Sequence, residues 1–192
     1  MADVVLVAGA SGSGKSRLSR MSGGTRFRLD DFYRDGDAPG LPQSTYGTDW
    51  DHPGSWDGEA ALASLVELVT TGETTTPVYD IATSRRVGTQ TVRLGRLPVV
   101  AEGIFAVELL RPAQQAGLDA RGIWLARPMV VSFVLRAVRD LRGGRKPLGF
   151  LVRRWVALAR AEPAMRKRHL GAGFEAYGFR RSLELIQASF SG

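Results

Sequence analysis

Cysteine is absent from the 192 residues, which excludes a disulfide scaffold, a zinc-ribbon site and a thiol nucleophile. A reducing compartment, the cytoplasm, is the expected home. Long apolar runs are also missing, since none approaches the roughly 18 residues of a membrane span, and the opening Met1-Ala2-Asp3 lacks the basic stretch of a signal peptide. A soluble, unexported protein is expected. With no internal repeat, no low-complexity tract and no interdomain linker, and with 44% hydrophobic residues, the chain reads as one compact domain spanning 1–192.

Acidic side chains are scarce only toward the C-terminus. The net charge is +7, yet residues 1–120 hold 11 basic and 15 acidic side chains, whereas residues 121–192 hold 15 basic and 4 acidic. Such a tail suits nucleic acid, an anionic membrane surface or a polyphosphate substrate, and the charge sum does not choose between them.

Val4-Val5-Leu6-Val7-Ala8 is apolar without alternation, the pattern of a strand buried on both faces of a parallel sheet. A short polar helix follows a glycine-rich turn, then a second strand over Thr25 to Leu29. Residues 34–56, rich in Gly, Pro and Asp, read as a long loop. Asp57 caps a helix with Ala61, Leu62, Leu65, Val66 and Leu68 at helical spacing, ended by Gly72. Pro77 to Asp80 and Thr91 to Leu94 predict a hairpin over the sheet edge, and further buried strands are expected at Leu97 to Ala101 and Gly122 to Ala126. Beyond Pro128 the spacing is helical, with stretches at 131–141, 150–161 and 181–189. Alternating strands and helices argue an α/β fold.

Gly9-Ala10-Ser11-Gly12-Ser13-Gly14-Lys15-Ser16 satisfies the phosphate-loop pattern between a predicted strand and a predicted helix. Glycines let backbone N–H groups curl around phosphate oxygens, and the positive end of the following helix favours the anion. Lys15 would neutralise the β and γ phosphates, and the Ser16 hydroxyl can ligate Mg²⁺. Asp30, just after the second strand, falls on the same sheet edge. There it can take a proton from an attacking hydroxyl, hold the metal, or simply cap a turn. Glu102, ending an apolar strand, occupies the place of a Walker-B-like carboxylate for Mg²⁺ or its water.

Taken in order, Gly9 to Ser16, Asp30-Asp31-Phe32-Tyr33, Asp49-Trp50-Asp51-His52-Pro53, Pro77-Val78-Tyr79-Asp80, Glu102-Gly103-Ile104 and Arg139-Asp140 followed by Arg145 resemble the uridine (uridine-cytidine) kinase family. This family belongs to the phosphoribulokinase/uridine kinase-type P-loop kinases. The resemblance runs over about three quarters of the chain and implies a P-loop NTPase-type parallel sheet flanked by helices, with a small β-hairpin and a helical lid near 139–149. It implies transfer of the γ-phosphoryl of ATP or GTP, with Mg²⁺, to the 5′-hydroxyl of a pyrimidine nucleoside, and homo-oligomers. By position, Asp30 resembles the family's general base and metal neighbour, with Asp31 at a variable position. Asp51, after Trp50, resembles the carboxylate that holds the ribose diol. His52, one of two histidines, would orient Asp51 or bond the backbone. Tyr33 and Tyr79 match aromatic positions of the nucleoside pocket, and Arg86 an arginine of the same stretch. Arg136 and Arg139 match arginines leading into the lid, and Arg145, interchangeable with Lys146, matches one at its tip.

Two departures stand out. Ser84 occupies the position of a family histidine that contacts the base, and the proline-threonine-lysine segment near the family's end is not visible in the divergent basic stretch 150–192. Another hydroxyl acceptor, pantothenate-like, ribulose phosphate-like or nicotinamide riboside-like, is therefore an alternative. From a different class, a nucleotide-gated nucleic-acid-binding module would use the basic tail. That tail interleaves one aromatic, Trp155, among Arg153, Arg154, Arg160, Arg166, Lys167 and Arg168, where stacking platforms carry more. Neither nucleic acid nor membrane is the expected partner.

Overall fold

The structure, a computed structural model, describes residues 3–10, 12–45, 47–126 and 163–189. Ser11, Arg136, Arg139 and Arg145, with the expected lid at 139–149 and the helices at 131–141 and 150–161, lie outside the described residues.

Five parallel strands form the central sheet in the order β2-β7-β1-β8-β9: Thr25–Arg28, Val99–Glu102, Val4–Ala8, Ala120–Leu125 and Phe174–Tyr177. β1 lies in the middle and is buried at all five positions, which accounts for its unbroken apolar run. Helices cover both faces. Leu65 and Leu68 of α2 (Gly58–Thr71) and Leu109 and Leu110 of α3 (Ala106–Gln115) belong to one core with Leu6, Phe27 and Trp124. Leu18 of α1 (Lys15–Ser22) and Ile186 of α4 (Phe179–Ala188) join Val5, Val7 and Val100 on the opposite face. The Asp57 side chain accepts from the Ala60 N–H and Gly72 closes α2, the two caps that the sequence predicts.

The hairpin is longer than its apolar residues suggest, pairing β5 (Glu73–Asp80) with β6 (Arg85–Arg93). Nearly every β6 position is exposed, so the strand carries no burial alternation by which to recognise it. The loop after Tyr33 contains a two-rung ribbon, β3 (Gln43–Ser44) with β4 (Gly47–Thr48), and a 3₁₀ turn at Pro53–Ser55. It returns on itself, because Tyr33 and Trp56 form an isolated antiparallel bridge and the Arg34 guanidinium donates to Gly54 O and Pro39 O. The C-terminal region, expected to be helical, also supplies β9 between helical residues 163–171 and α4.

Candidate active site

Parallel strands deliver their carboxyl ends to one edge, and β1, β2 and β7 place their following residues together there. After β1 the chain turns through Gly9 (φ 151°) and Gly14 (φ 98°), the latter immediately before α1. A side chain at Gly9 would strike Ser13 Oγ at 2.8 Å and Leu125 O at 3.0 Å, so both the curl and its close packing require glycine. Lys15 Nζ donates to Gly9 O at 2.8 Å and Ala10 O at 3.3 Å, folding the ammonium back over the loop. Ser16 is exposed in the first turn of α1. The geometry is an anion cradle at a helix N-terminus with a lysine across it.

Leu29–Phe32 winds into a 3₁₀ turn directly after β2. Phe27 stacks on Phe32 at 5.5 Å and Trp56 Nε1 donates to Leu29 O at 2.8 Å, which fixes the turn to the core. Asp30 is thereby held beside the end of β7, whose Glu102 is only 6% exposed and lies in register with Arg28. Gly103 makes the approach feasible, since a Cβ there would stand 2.9 Å from Asp30 Oδ1 and 2.7 Å from Leu29 Cβ. Burial, and secondarily the Glu102 charge, push the Asp30 carboxyl up to about 6, with Lys15 and Arg28 opposing and Asp31 adding to the rise. Asp30 Oδ1 is a buried oxygen with no hydrogen-bond partner.

That orphaned oxygen and the neighbouring Glu102 provide a test of the implied Mg²⁺. No cluster of three or more His, Cys, Asp or Glu residues able to cage a metal occurs among the described residues. Magnesium held mainly by substrate phosphates and water asks for only one or two carboxylates. Asp30, Glu102 and the Ser16 hydroxyl are therefore a chemically fitting donor set.

An aromatic group lies within electrostatic reach of Asp30. Tyr33 meets Trp50, Tyr79 and Phe105 with ring centroids 5.7, 5.5 and 5.6 Å away, and its hydroxyl donates to Trp50 O at 3.1 Å. Burial raises the Tyr33 pKa, with Asp30 and then Asp51 adding to the rise, so both carboxylates lie within electrostatic reach of its hydroxyl. Asp51 is exposed, its N–H donating to Asp49 Oδ1 at 3.1 Å. His52 Nδ1 accepts from Gly54 N at 3.0 Å, capping the 3₁₀ turn; of the two expectations for this residue, the structure displays the backbone bond.

Tyr79 is buried and its hydroxyl donates to Arg34 O at 3.3 Å; a hydrogen bond with the Ser84 side chain is among the influences on its pKa, which burial raises. Ser84 itself has φ 53°, and its carbonyl accepts from Gly36 N at 2.8 Å. The Arg86 side chain donates from Nε to Tyr33 O at 3.0 Å and from a terminal nitrogen to Asp57 at 3.2 Å. It binds the hairpin to the start of the loop and to the cap of α2. Lys15, Asp30 and Glu102 therefore form one group and Tyr33, Trp50, Asp51, Tyr79 and Ser84 the adjoining one, while the His52 and Arg86 side chains bond the loop and the cap of α2.

Sequence reasoning did not single out Asp31, which is 1% exposed and accepts from Gln90 Nε2 at 3.2 Å. It also passed over His169, 2% exposed between Trp124 and Phe174, with centroids 4.8 and 5.2 Å away. Asp31 sat in a motif whose second position looked free to vary, and His169 lay in a stretch with no recognisable pattern.

A structure called a fructose transport system kinase, from Silicibacter sp. TM1040, matches this fold with a TM-score of 0.60 at 21% identity, over 92% of this chain and 89% of that one. The five-stranded parallel sheet and the phosphate loop between β1 and α1 define a P-loop fold, and its relatives make it a kinase. A uridine kinase of Deinococcus deserti is 30% identical over 153 residues, 75% of this chain and 72% of that protein. One from Brevibacillus brevis is 25% identical over 161 residues, 80% and 73% respectively. No protein-family model matches. The chain belongs to the uridine kinase family. Among the described residues no helix is long and apolar enough to cross a membrane.

Proposed function

We propose that the protein transfers the γ-phosphoryl group of ATP to the 5′-hydroxyl of a nucleoside, uridine or cytidine. The observation that carries this reading is the position of the Asp30 carboxyl. It is within electrostatic reach of Lys15 and Glu102 toward the phosphate loop and of Tyr33 toward the aromatic group.

In this reading the loop amides from Gly9 to Ser16, with Lys15 turned from the loop carbonyls to the β and γ phosphates, hold the donor. The nucleoside lies against Tyr33, Trp50 and Tyr79, and Asp51 accepts from the two ribose hydroxyls, for which a bidentate carboxylate is suited. Asp30 takes the proton as the 5′-oxygen forms its bond to the γ phosphorus, and the bridging oxygen leaves with ADP. Ser16, Asp30 and Glu102 would hold Mg²⁺, which when bound supplies positive charge to the phosphate oxygens. Arg136, Arg139 and Arg145, outside the described residues, would add positive charge around the transferring group and help to exclude water. His52 and Arg86 act by shaping the loop and the hairpin.

The names of the relatives support the acceptor, as do the carboxylates Asp30 and Asp51 within electrostatic reach of Tyr33, which disfavour an acceptor that is already anionic. ADP release with Mg²⁺ and ATP, measured across uridine, cytidine, purine nucleosides, fructose and gluconate, tests the reading. Turnover on uridine or cytidine is expected. Turnover confined to the sugars would keep the kinase and refute the nucleoside.

A further inference from the structure

The β5–β6 hairpin projects from the core with β6 almost wholly exposed, yet it is bonded repeatedly to the segment that begins at Asp30. Gln90 Nε2 donates to Asp31 Oδ2 at 3.2 Å, the Arg86 N–H to Asp35 Oδ1 at 2.6 Å and Arg86 Nε to Tyr33 O at 3.0 Å. Gly36 N donates to Ser84 O at 2.8 Å, and Arg85 pairs with Asp37 at 2.7 Å.

Of these contacts the one at Asp31 is chemically distinct. Its carboxylate is almost fully buried, and Oδ1 has no hydrogen bond, only the Arg28 guanidinium 3.4 Å away across the turn. Arg28 and a hydrogen bond with the Tyr79 backbone also favour its charged form. Losing the Gln90 donor leaves the buried carboxylate less fully satisfied, so the turn carrying Asp30 depends on where the hairpin that supplies both Tyr79 and Gln90 stands. Gln90 is itself exposed and belongs to a strand exposed at nearly every position, the kind of element that moves readily.

We infer that Asp31 and Gln90 are a positioning pair through which the hairpin bearing Tyr79 and Ser84 sets the placement of the Asp30 carboxyl. Acceptor contact and the proton-accepting group are thereby adjusted together. The inference rests on the acceptor site proposed above. Neither residue touches substrate; both act through Asp30.

The test uses Gln90→Met, Gln90→Glu and the double variant Asp31→Asn with Gln90→Glu. Gln90→Met should lower kcat/KM for the nucleoside on the order of tenfold, the scale of one charge-assisted hydrogen bond, with KM for ATP within about twofold. Its Tm should fall modestly, on the scale of one hydrogen bond lost by a buried carboxylate, and recover in the double variant. Gln90→Glu, which opposes two carboxylates, should be worse, and the double variant should recover because the asparagine amide can then donate to the glutamate. A rise in KM for ATP well beyond twofold, no loss in Gln90→Met, or no recovery in the double variant would overturn the inference. Amide exchange over residues 30–36, measured without substrate, should quicken in Gln90→Met and return in the double variant; unchanged exchange overturns the coupling. Silence of the wild-type protein on every nucleoside would instead refute the proposed function and leave the exchange measurement to decide the coupling.

Discussion

Asp30 and Glu102 follow and end two neighbouring parallel strands, so the fold sets two carboxylates side by side at the mouth of the phosphate loop. Burial and the Glu102 charge lift Asp30 to about 6 from an ordinary value of 3.8. A folded pKa above the unfolded one means that the native state binds the proton more tightly. Stability from this group is present at low pH and is lost as pH rises through roughly 4 to 6.

Asp30→Asn should therefore abolish turnover while raising the Tm of the ligand-free protein. At about pH 7.5 the gain should correspond to roughly 2–3 kcal/mol, shrinking toward nothing near pH 4. Thermal melts of both proteins across that range check the sign. A variant that melts lower than wild type at neutral pH would show that the carboxylate is satisfied rather than strained.

His169 has the opposite dependence. Burial lowers its pKa from 6.5, with the Met165 backbone and Glu108 opposing and the Arg168 and Lys15 charges contributing to the fall. The unfolded chain then takes up the proton first, so stability is lost as pH drops below about 6.5. His169→Phe, which keeps a ring between Trp124 and Phe174, should flatten that acid limb. An unchanged slope of Tm against pH between about 6.5 and 5 would contradict it.

Lys15→Met keeps the stem and removes the ammonium that lies across the loop carbonyls. In the proposed reading the donor phosphates then lose the positive charge of the loop lysine, and kcat/KM for ATP should fall on the order of 100-fold or more. Initial rates against ATP concentration at saturating nucleoside measure this. A change below about threefold would remove Lys15 from the site.

For Asp51→Ala the expected loss is confined to the acceptor. KM for uridine should rise about tenfold or more with KM for ATP unchanged, the scale of a lost charge-assisted bond. In wild type, removing the ribose 2′-hydroxyl should produce a comparable loss, and the same deletion should matter little in the variant. Full sensitivity of the variant to the deoxynucleoside would place the diol contact elsewhere.

Much of this architecture was legible in the sequence because burial and backbone geometry write strong patterns. Val4 to Ala8 is apolar on both faces, Gly9 to Ser16 combines positive-φ turns with a lysine, and Asp57 and Gly72 bracket α2 with ordinary capping chemistry. The full extent of β6 was hidden because Arg85 to Gln90 are all exposed, and its partnership with β5 is held by backbone bonds that leave no side-chain periodicity. The strand Phe174–Tyr177 lies on the edge of the sheet with one buried residue, Phe174, too short a signal to read. The role of Arg86 was obscure for another reason: its partners, Tyr33 O and Asp57, become its neighbours only after the loop closes on itself.

The central claim is phosphoryl transfer to a nucleoside 5′-hydroxyl, and product analysis tests it most directly. Purified protein with Mg²⁺, ATP and uridine or cytidine should yield the 5′-monophosphate and ADP in equal amounts, identified by mass spectrometry and by chromatography against authentic standards, with no product from Asp30→Asn. ADP formed without any nucleoside monophosphate, or product formed as fast by Asp30→Asn, would contradict the account.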